Sequence, residues 1–248
     1  MPELVTVKIE GAACVLTLNR PDKLNALSDE LLALLCETLA SEAVREARCV
    51  VFTGSERVFS AGADLREPAS YTPEDLMASY RATGDFAERV ADLPQPTICA
   101  IAGYCIGGGL ELALACDFRV AERNADFRFP EVALGILPSW GGTQRAVRLL
   151  GPARAKELVL LRERVDAERA LAMGLVTEIA AEGESLPRAL EMAARLAALP
   201  ALAVSVTTAV IDALPETSRG AGLQLERLAY GMLAQTGEAG EALSARWS

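Results

Sequence analysis

Gly103-Tyr104-Cys105-Ile106-Gly107-Gly108-Gly109-Leu110-Glu111 runs directly into the apolar segment Leu112-Ala113-Leu114-Ala115-Cys116. Three successive glycines let a backbone come very close to a ligand or to another segment. The helical pattern that follows aims its first free N–H groups, and the positive end of its dipole, at whatever lies over those glycines. Glu111 falls in the first turn of that helix. One short stretch therefore offers backbone donors for a developing negative charge beside a carboxylate able to move a proton. Read by itself, the triglycine is also compatible with a tight turn or a packing point between helix and strand.

The 248-residue chain contains no histidine. That excludes Ser-His and Cys-His nucleophile pairs and imidazole metal ligands. Proton transfer near neutral pH falls instead to carboxylates, lysine, tyrosine or cysteine. The net charge of −10 argues against nucleic acid or an acidic membrane as partner. Met1-Pro2-Glu3 opens no signal segment, and no apolar run reaches membrane-spanning length, so a cytoplasmic location is expected. Cys14, Cys36, Cys49, Cys99, Cys105 and Cys116 form no CxxC pair and sit in or beside apolar segments. They read as buried free thiols, with no metal site expected. Cys105 borders the glycine loop but lacks a histidine partner to activate it.

Working outward from the glycine loop, Thr97–Ala102 is an apolar strand leading into it. Upstream, Val5–Ile9 and Ala13–Asn19 form two strands across a Glu10-Gly11 turn, and Cys49–Phe52 reads as a strand covered on both faces. Ser28 is placed to cap a helix carrying Leu31, Leu34, Leu35 and Leu39. Thr72-Pro73 starts another, expected to run to about Leu93. Phe118–Ala121 and Asp126–Phe129 are further short strands, with one more at Val176–Ile179. Recurring strand–loop–helix units predict a layered α/β fold with ligands bound in loops after the strands. Beyond Gly151 the pattern is almost continuously helical: Arg154–Leu161, Ala167–Met173, Pro187–Leu199, Leu202–Leu214 and Leu223–Ala234. The last three are rich in Ala and Leu on more than one face, which suggests packing against other subunits.

Glu131 is the one charged residue in the apolar, glycine-rich run Phe129–Gly142. Partial desolvation there raises a carboxyl toward a pKa useful for acid–base work; a loop glutamate at the surface is the alternative.

Four stretches together carry a resemblance: Asn19-Arg20-Pro21…Asn25-Ala26-Leu27; Phe59-Ser60-Ala61-Gly62-Ala63-Asp64-Leu65; the Gly103–Glu111 loop; and Pro130-Glu131…Gly135-Ile136-Leu137-Pro138…Gly141-Gly142-Thr143-Gln144-Arg145. In this order and spacing the chain resembles the crotonase superfamily, within it the enoyl-CoA hydratase/isomerase group, from about residue 4 to about residue 235. The resemblance implies a crotonase-like spiral of ββα units over residues 1–185, carrying the active site. It implies a helical trimerisation region over residues 186–248, and homotrimers or dimers of trimers. An acyl-CoA thioester of fatty acid metabolism would be the substrate, with coenzyme A part of it and no separate cofactor. Ala63 and Gly108 match the positions whose N–H groups form the oxyanion hole, and Glu111 and Glu131 match the two catalytic glutamates. Glu131 would serve the carbon next to the carbonyl and Glu111 the added water. Isomerases of this kind commonly lack the acid at the Glu111 position, so the pair favours hydration. An isomerase or another acyl-CoA lyase of the same fold is the alternative, and a non-catalytic acyl-CoA-binding subunit is the alternative of another class.

The same resemblance puts Lys23 and Leu24 at the adenine end of CoA and Arg66 near its phosphates, although either basic side chain could be merely solvated. Ala61, Asp64, Leu65 and Gly107 line the substrate by the same correspondence, with Ser139 and Trp140. That last pair departs from the family, which has small residues before Gly141-Gly142. The indole then stands beside the acyl pocket, or points away into the core or an interface. The sequence also ends at Arg246-Trp247-Ser248, short of a tail that contacts CoA in many relatives.

Overall fold

The structure is a computed structural model that describes residues 3–66, 71–238 and 240. Its strands alternate between two sheets. β1 (Val5–Glu10) and β2 (Ala13–Leu18) form an antiparallel hairpin, with Val5 opposite Leu18 and Glu10 opposite Ala13. β3 (Cys49–Thr53) then pairs parallel to β2 and leads into β4 (Val58–Ser60) in the second sheet. β5 (Thr97–Ile101) repeats the step beside β3 and leads to β6 (Tyr104–Ile106); β7 (Phe118–Glu122) repeats it again and leads to β8 (Asp126–Arg128). Each turn thus advances one strand in both sheets, and a helix closes it, which makes the spiral of ββα units expected above. β9 (Val165–Asp166) ends the small sheet antiparallel to β8, and β10 (Glu178–Ala180) ends the large one parallel to β7.

Burial on both faces explains the continuous apolar run of β3. Val50 and Phe52 enter the main core, whereas Cys49 and Val51 enter a second core on the opposite face, as the period-two geometry of a strand requires. The main core is closed by α1 (Asp29–Leu39), capped by Ser28 Oγ accepting from the Leu31 N–H, and by α4 (Phe86–Ala91) and α5 (Gly108–Ala115). The second core lies under α8 (Ser185–Ala197), which buries Ala189, Met192 and Ala193.

Three expectations are corrected. The helix expected from Thr72 to about Leu93 is two helices, α3 (Pro73–Thr83) and α4, because the chain breaks at Gly84-Asp85. α3 buries only Thr83, while α4 has Phe86, Ala87 and Val90 to bury, so one straight helix could not serve both. The glycine stretch is not all loop, since β6 forms inside it; its three residues, like those of β4, are too few for periodicity to announce. The helix expected at Arg154–Leu161 is present as the second half of α6 (Gly142–Lys156) and a π-turn over Glu157–Leu161, but a first half from Gly142, broken from it at Gly151 (φ 77°, ψ 162°), was not expected.

After α2 (Glu42–Glu46) and α7 (Ala167–Met173), the last helices are α9 (Ala201–Ala213) and α10 (Arg219–Leu233). They pack mainly on each other. No residue of α9 is buried, and in α10 only Gly222 is. Leu228 and Tyr230 are 73% and 76% exposed. The apolar groove between the helices is lined by Val206, Val210, Leu225, Leu228 and Met232. Arg246, Trp247 and Ser248 lie outside the described residues.

Candidate active site

The site forms where the ends of β4, β6 and β8 meet the first turn of α5. Gly107 precedes α5 with φ 53° and ψ −123°, a conformation open essentially to glycine, and its N–H donates to the Arg128 carbonyl. That turn sets the free N–H groups of α5 beside Ala63 and the Glu131 carboxyl. The Gly108 N–H has no acceptor among the described residues.

A second N–H arrives from the loop after β4. Leu27 and Ala63 form an isolated parallel bridge, in which Leu27 N–H donates to Gly62 and Asp64 N–H donates to Leu27. In such a bridge the Ala63 N–H points away from the pairing and stays available. The two donors are neighbours, for a β-carbon on Gly62 would stand 3.1 Å from the Gly108 nitrogen and one on Gly108 would stand 3.4 Å from the Ala63 nitrogen.

The loop is held by residues to which sequence reasoning gave no role. Asn25 is wholly buried and has φ 51°, next to Leu24 at φ 52°. Its amide donates to the Val58 and Phe59 carbonyls, and its carbonyl oxygen accepts from the Arg20 N–H. Ser60 Oγ donates to the Asn25 carbonyl and accepts from the Gly62 N–H. Two consecutive non-glycine residues in the left-handed region mark a strained turn held by its surroundings. The only advance signal was a lone amide flanked by Leu24 and Ala26-Leu27.

Glu111 lies one turn into α5 and is 2% exposed. Its Oε1 accepts from the backbone N–H groups of Trp140 (2.7 Å) and Gly142 (2.8 Å). Burial pushes its carboxyl up to about 7, and these two N–H groups restrain the rise. A β-carbon at Gly142 would come within 2.7 Å of Glu111, so glycine is required there for the backbone to reach the carboxylate.

Glu131 opens the 3₁₀ turn Glu131–Leu134 after β8 and is 8% exposed, which removes the surface-loop alternative. Burial raises its pKa as well. Oε1 lies over Gly107, where a β-carbon would stand at 2.7 Å, and Oε2 is buried with no hydrogen-bond partner among the described residues. A carboxyl oxygen left unsatisfied in such a place is free to exchange a proton with a guest.

The remaining residues named from sequence divide. Ser139 is exposed, with its carbonyl accepting from the Tyr80 hydroxyl, and Trp140 packs against Gly108 and Phe86. Asp64 turns its carboxylate to Arg20 (2.8 Å); burial would raise its pKa, but Arg20 and the Arg66 N–H bring it below the ordinary value. Ala61 donates its N–H to the Leu24 carbonyl, which ties the two segments together. Lys23, Leu24, Leu65 and Arg66 are exposed along the same edge. A cavity of about 810 Å³ adjoins this edge, lined by Leu24, Arg57, Tyr104, Arg128 and Arg164, and holds neither glutamate. Cys105 is fully buried, and burial pushes its thiol well above the ordinary range, so it is no nucleophile. All six cysteines are free and buried, and no metal-binding cluster occurs among the described residues.

Residues 8–245 match the family model described as Enoyl-CoA hydratase/isomerase. The chain is 41% identical to the YngF protein of Bacillus subtilis (strain 168), which bears an enoyl-CoA hydratase/isomerase name; the match covers 98% of this chain and 94% of that protein. Against the 2,3-dehydroadipyl-CoA hydratase of Escherichia coli (strain K12), identity is 38%, over 99% of this chain and 95% of that one. The crystal structure of enoyl-CoA hydratase from Bacillus anthracis superposes with a TM-score of 0.93 at 36% identity, covering 98% of this chain and 95% of that one.

Proposed function

Since this chain belongs to the enoyl-CoA hydratase/isomerase family and is an enoyl-CoA hydratase, we propose that Glu111, Glu131 and the N–H groups of Ala63 and Gly108 carry the reaction between them. One observation supports the assignment above all. Two buried carboxyls with raised pKa values flank two adjacent backbone donors that have no acceptor in the described chain.

The thioester carbonyl of a 2-enoyl-CoA accepts from both N–H groups, which draws electron density from the conjugated double bond. Glu111, ionised, takes a proton from water as its oxygen bonds to the carbon two removed from the carbonyl. The resulting enolate is held by the two donors and takes a proton from Glu131 at the adjacent carbon. Water has then been added across the double bond, and one proton must pass from Glu111 back to Glu131 to complete the cycle. Coenzyme A enters and leaves with the substrate, so no further cofactor is needed. Lys23, Leu24 and Arg66, exposed along one edge, would meet its nucleotide.

The exposed apolar faces of α9 and α10 would be covered by equivalent helices of two other subunits in a homotrimer or a dimer of trimers. A contiguous exposed apolar face of this kind ordinarily marks an interaction surface. Six buried, unpaired thiols suit a reducing compartment, and we place the enzyme in the cytoplasm. Product analysis with a 2-enoyl-CoA against a 3-enoyl-CoA tests the function. A hydroxyacyl product supports hydration, whereas double-bond migration alone would make the chain an isomerase.

A further inference from the structure

We infer that Trp140 is the specificity-determining wall of the acyl pocket and restricts this enzyme to short 2-enoyl chains. The inference rests on the site proposed above. A β-carbon on Gly108 would come within 3 Å of two atoms of the indole, Cζ3 and Cε3, so the ring lies directly on the α-carbon of an oxyanion residue. The ring also meets Phe86 edge-on, with centroids 5.1 Å apart and planes at 80°. Phe86 is wholly buried, so the indole cannot retreat toward α4.

The backbone under the ring is fixed just as firmly. Trp140 donates its N–H to Glu111 and accepts at its carbonyl from Arg145 Nη1 (3.0 Å). Arg145 is itself anchored to the Ala87 carbonyl and to Glu88 (2.9 Å). The neighbouring Ser139 carbonyl is tied to α3 through the Tyr80 hydroxyl (3.0 Å).

Consequences for the substrate follow from position. The thioester oxygen must sit at the Ala63 and Gly108 N–H groups, and the carbon that takes water must sit near Glu111. The chain beyond that carbon then starts at Trp140, whose ring lies on Gly108 and whose backbone N–H holds Glu111. A methyl group fits against the ring; a longer tail has to displace an aromatic side chain held by Gly108, Phe86 and its own backbone. One methylene too many in a tight apolar pocket changes kcat/KM by about 10–200-fold.

The test measures kcat/KM for 2-butenoyl-, 2-hexenoyl- and 2-decenoyl-CoA by loss of enoyl-thioester absorbance, for the parent, Trp140→Ala and Trp140→Leu. The parent should favour butenoyl over decenoyl by at least about tenfold, and each variant should shift that ratio at least about tenfold toward decenoyl. Trp140→Leu keeps apolar bulk against Phe86 and decides the matter if the alanine variant does not fold. A parent that already prefers decenoyl, or variants with an unchanged ratio, overturns the inference and leaves the hydratase site standing. A parent that hydrates none of the three overturns both. Independently, Trp247→Phe leaves Trp140 as the sole tryptophan. Its emission should shift on binding butyryl-CoA and not on binding CoA alone, and an emission blind to the acyl group also counts against the wall.

Discussion

Replacing Glu111 by glutamine should strengthen the fold while abolishing hydration, and the size of the gain can be worked from its surroundings. An ordinary glutamate loses its proton near 4.5, and burial moves Glu111 up to about 7. The folded protein therefore binds this proton more tightly than the unfolded chain does. Ionising the group weakens the fold, so the penalty is absent below about 4.5, grows between 4.5 and 7, and is complete above 7. At 1.36 kcal/mol for each pH unit, the full penalty is about 3 kcal/mol. Glutamine still accepts from Trp140 and Gly142 but carries no charge, so Glu111→Gln should gain about 3 kcal/mol near pH 8 and roughly half that near pH 5.5. Urea unfolding of parent and variant at matched subunit concentration, at both pH values, measures this. Over the same range the acid limb of the parent's kcat/KM should have its midpoint near 7, because Glu111 must be ionised to accept a proton from water. A variant that is less stable, or stabilised equally at both pH values, would refute the claim that a buried, ionisable Glu111 is strained for function.

Glu131→Gln should lower kcat by about 10²–10⁴ with little change in KM, since the proton donor is lost while CoA contacts are untouched; steady-state kinetics within tenfold of the parent would remove Glu131 from the mechanism. Gly108→Pro deletes one oxyanion N–H, and loss of one such donor costs about 2.7–4 kcal/mol of transition-state stabilisation. Near-normal turnover by a folded Gly108→Pro protein would place the oxyanion site elsewhere. Light scattering at micromolar concentration should report a multiple of three times the 26.3 kDa subunit mass, with activity falling on dilution; a stable, active monomer would leave the apolar faces of α9 and α10 unexplained.

What the sequence disclosed, and what it withheld, separates along physical lines. The place of Glu111 at the start of a buried helix was legible because a glycine run ahead of an apolar helical pattern marks a helix N-terminus, and the burial of Glu131 because a single charge in an apolar run is partly desolvated. The long strands and capped helices were legible because periodicity and Ser28 act locally. The short strands β4 and β6 were not, since three residues carry no period and gain their pairing only from each other. The break at Gly84 was hidden because α3 and α4 differ in what each buries, which only the assembled core decides. Asn25 was quoted with its neighbours but given no role. Its hydrogen bonds reach Val58 and Phe59, more than thirty positions along the chain, and no local pattern reports them. Trp140 shows the same limit. Its identity marked a departure from the family, but the face it turns to the site is set by Phe86 and Gly108, which tertiary folding alone brings to it.

The most direct test of the two-glutamate site is to incubate the enzyme with 2-butenoyl-CoA in oxygen-18 water and follow the product by mass spectrometry. Addition of water by Glu111 and Glu131 predicts one labelled oxygen in a 3-hydroxyacyl product, formed by the parent and lost to background in both single glutamine variants. Turnover without label, or labelled product formed at the parental rate by Glu111→Gln, would contradict it.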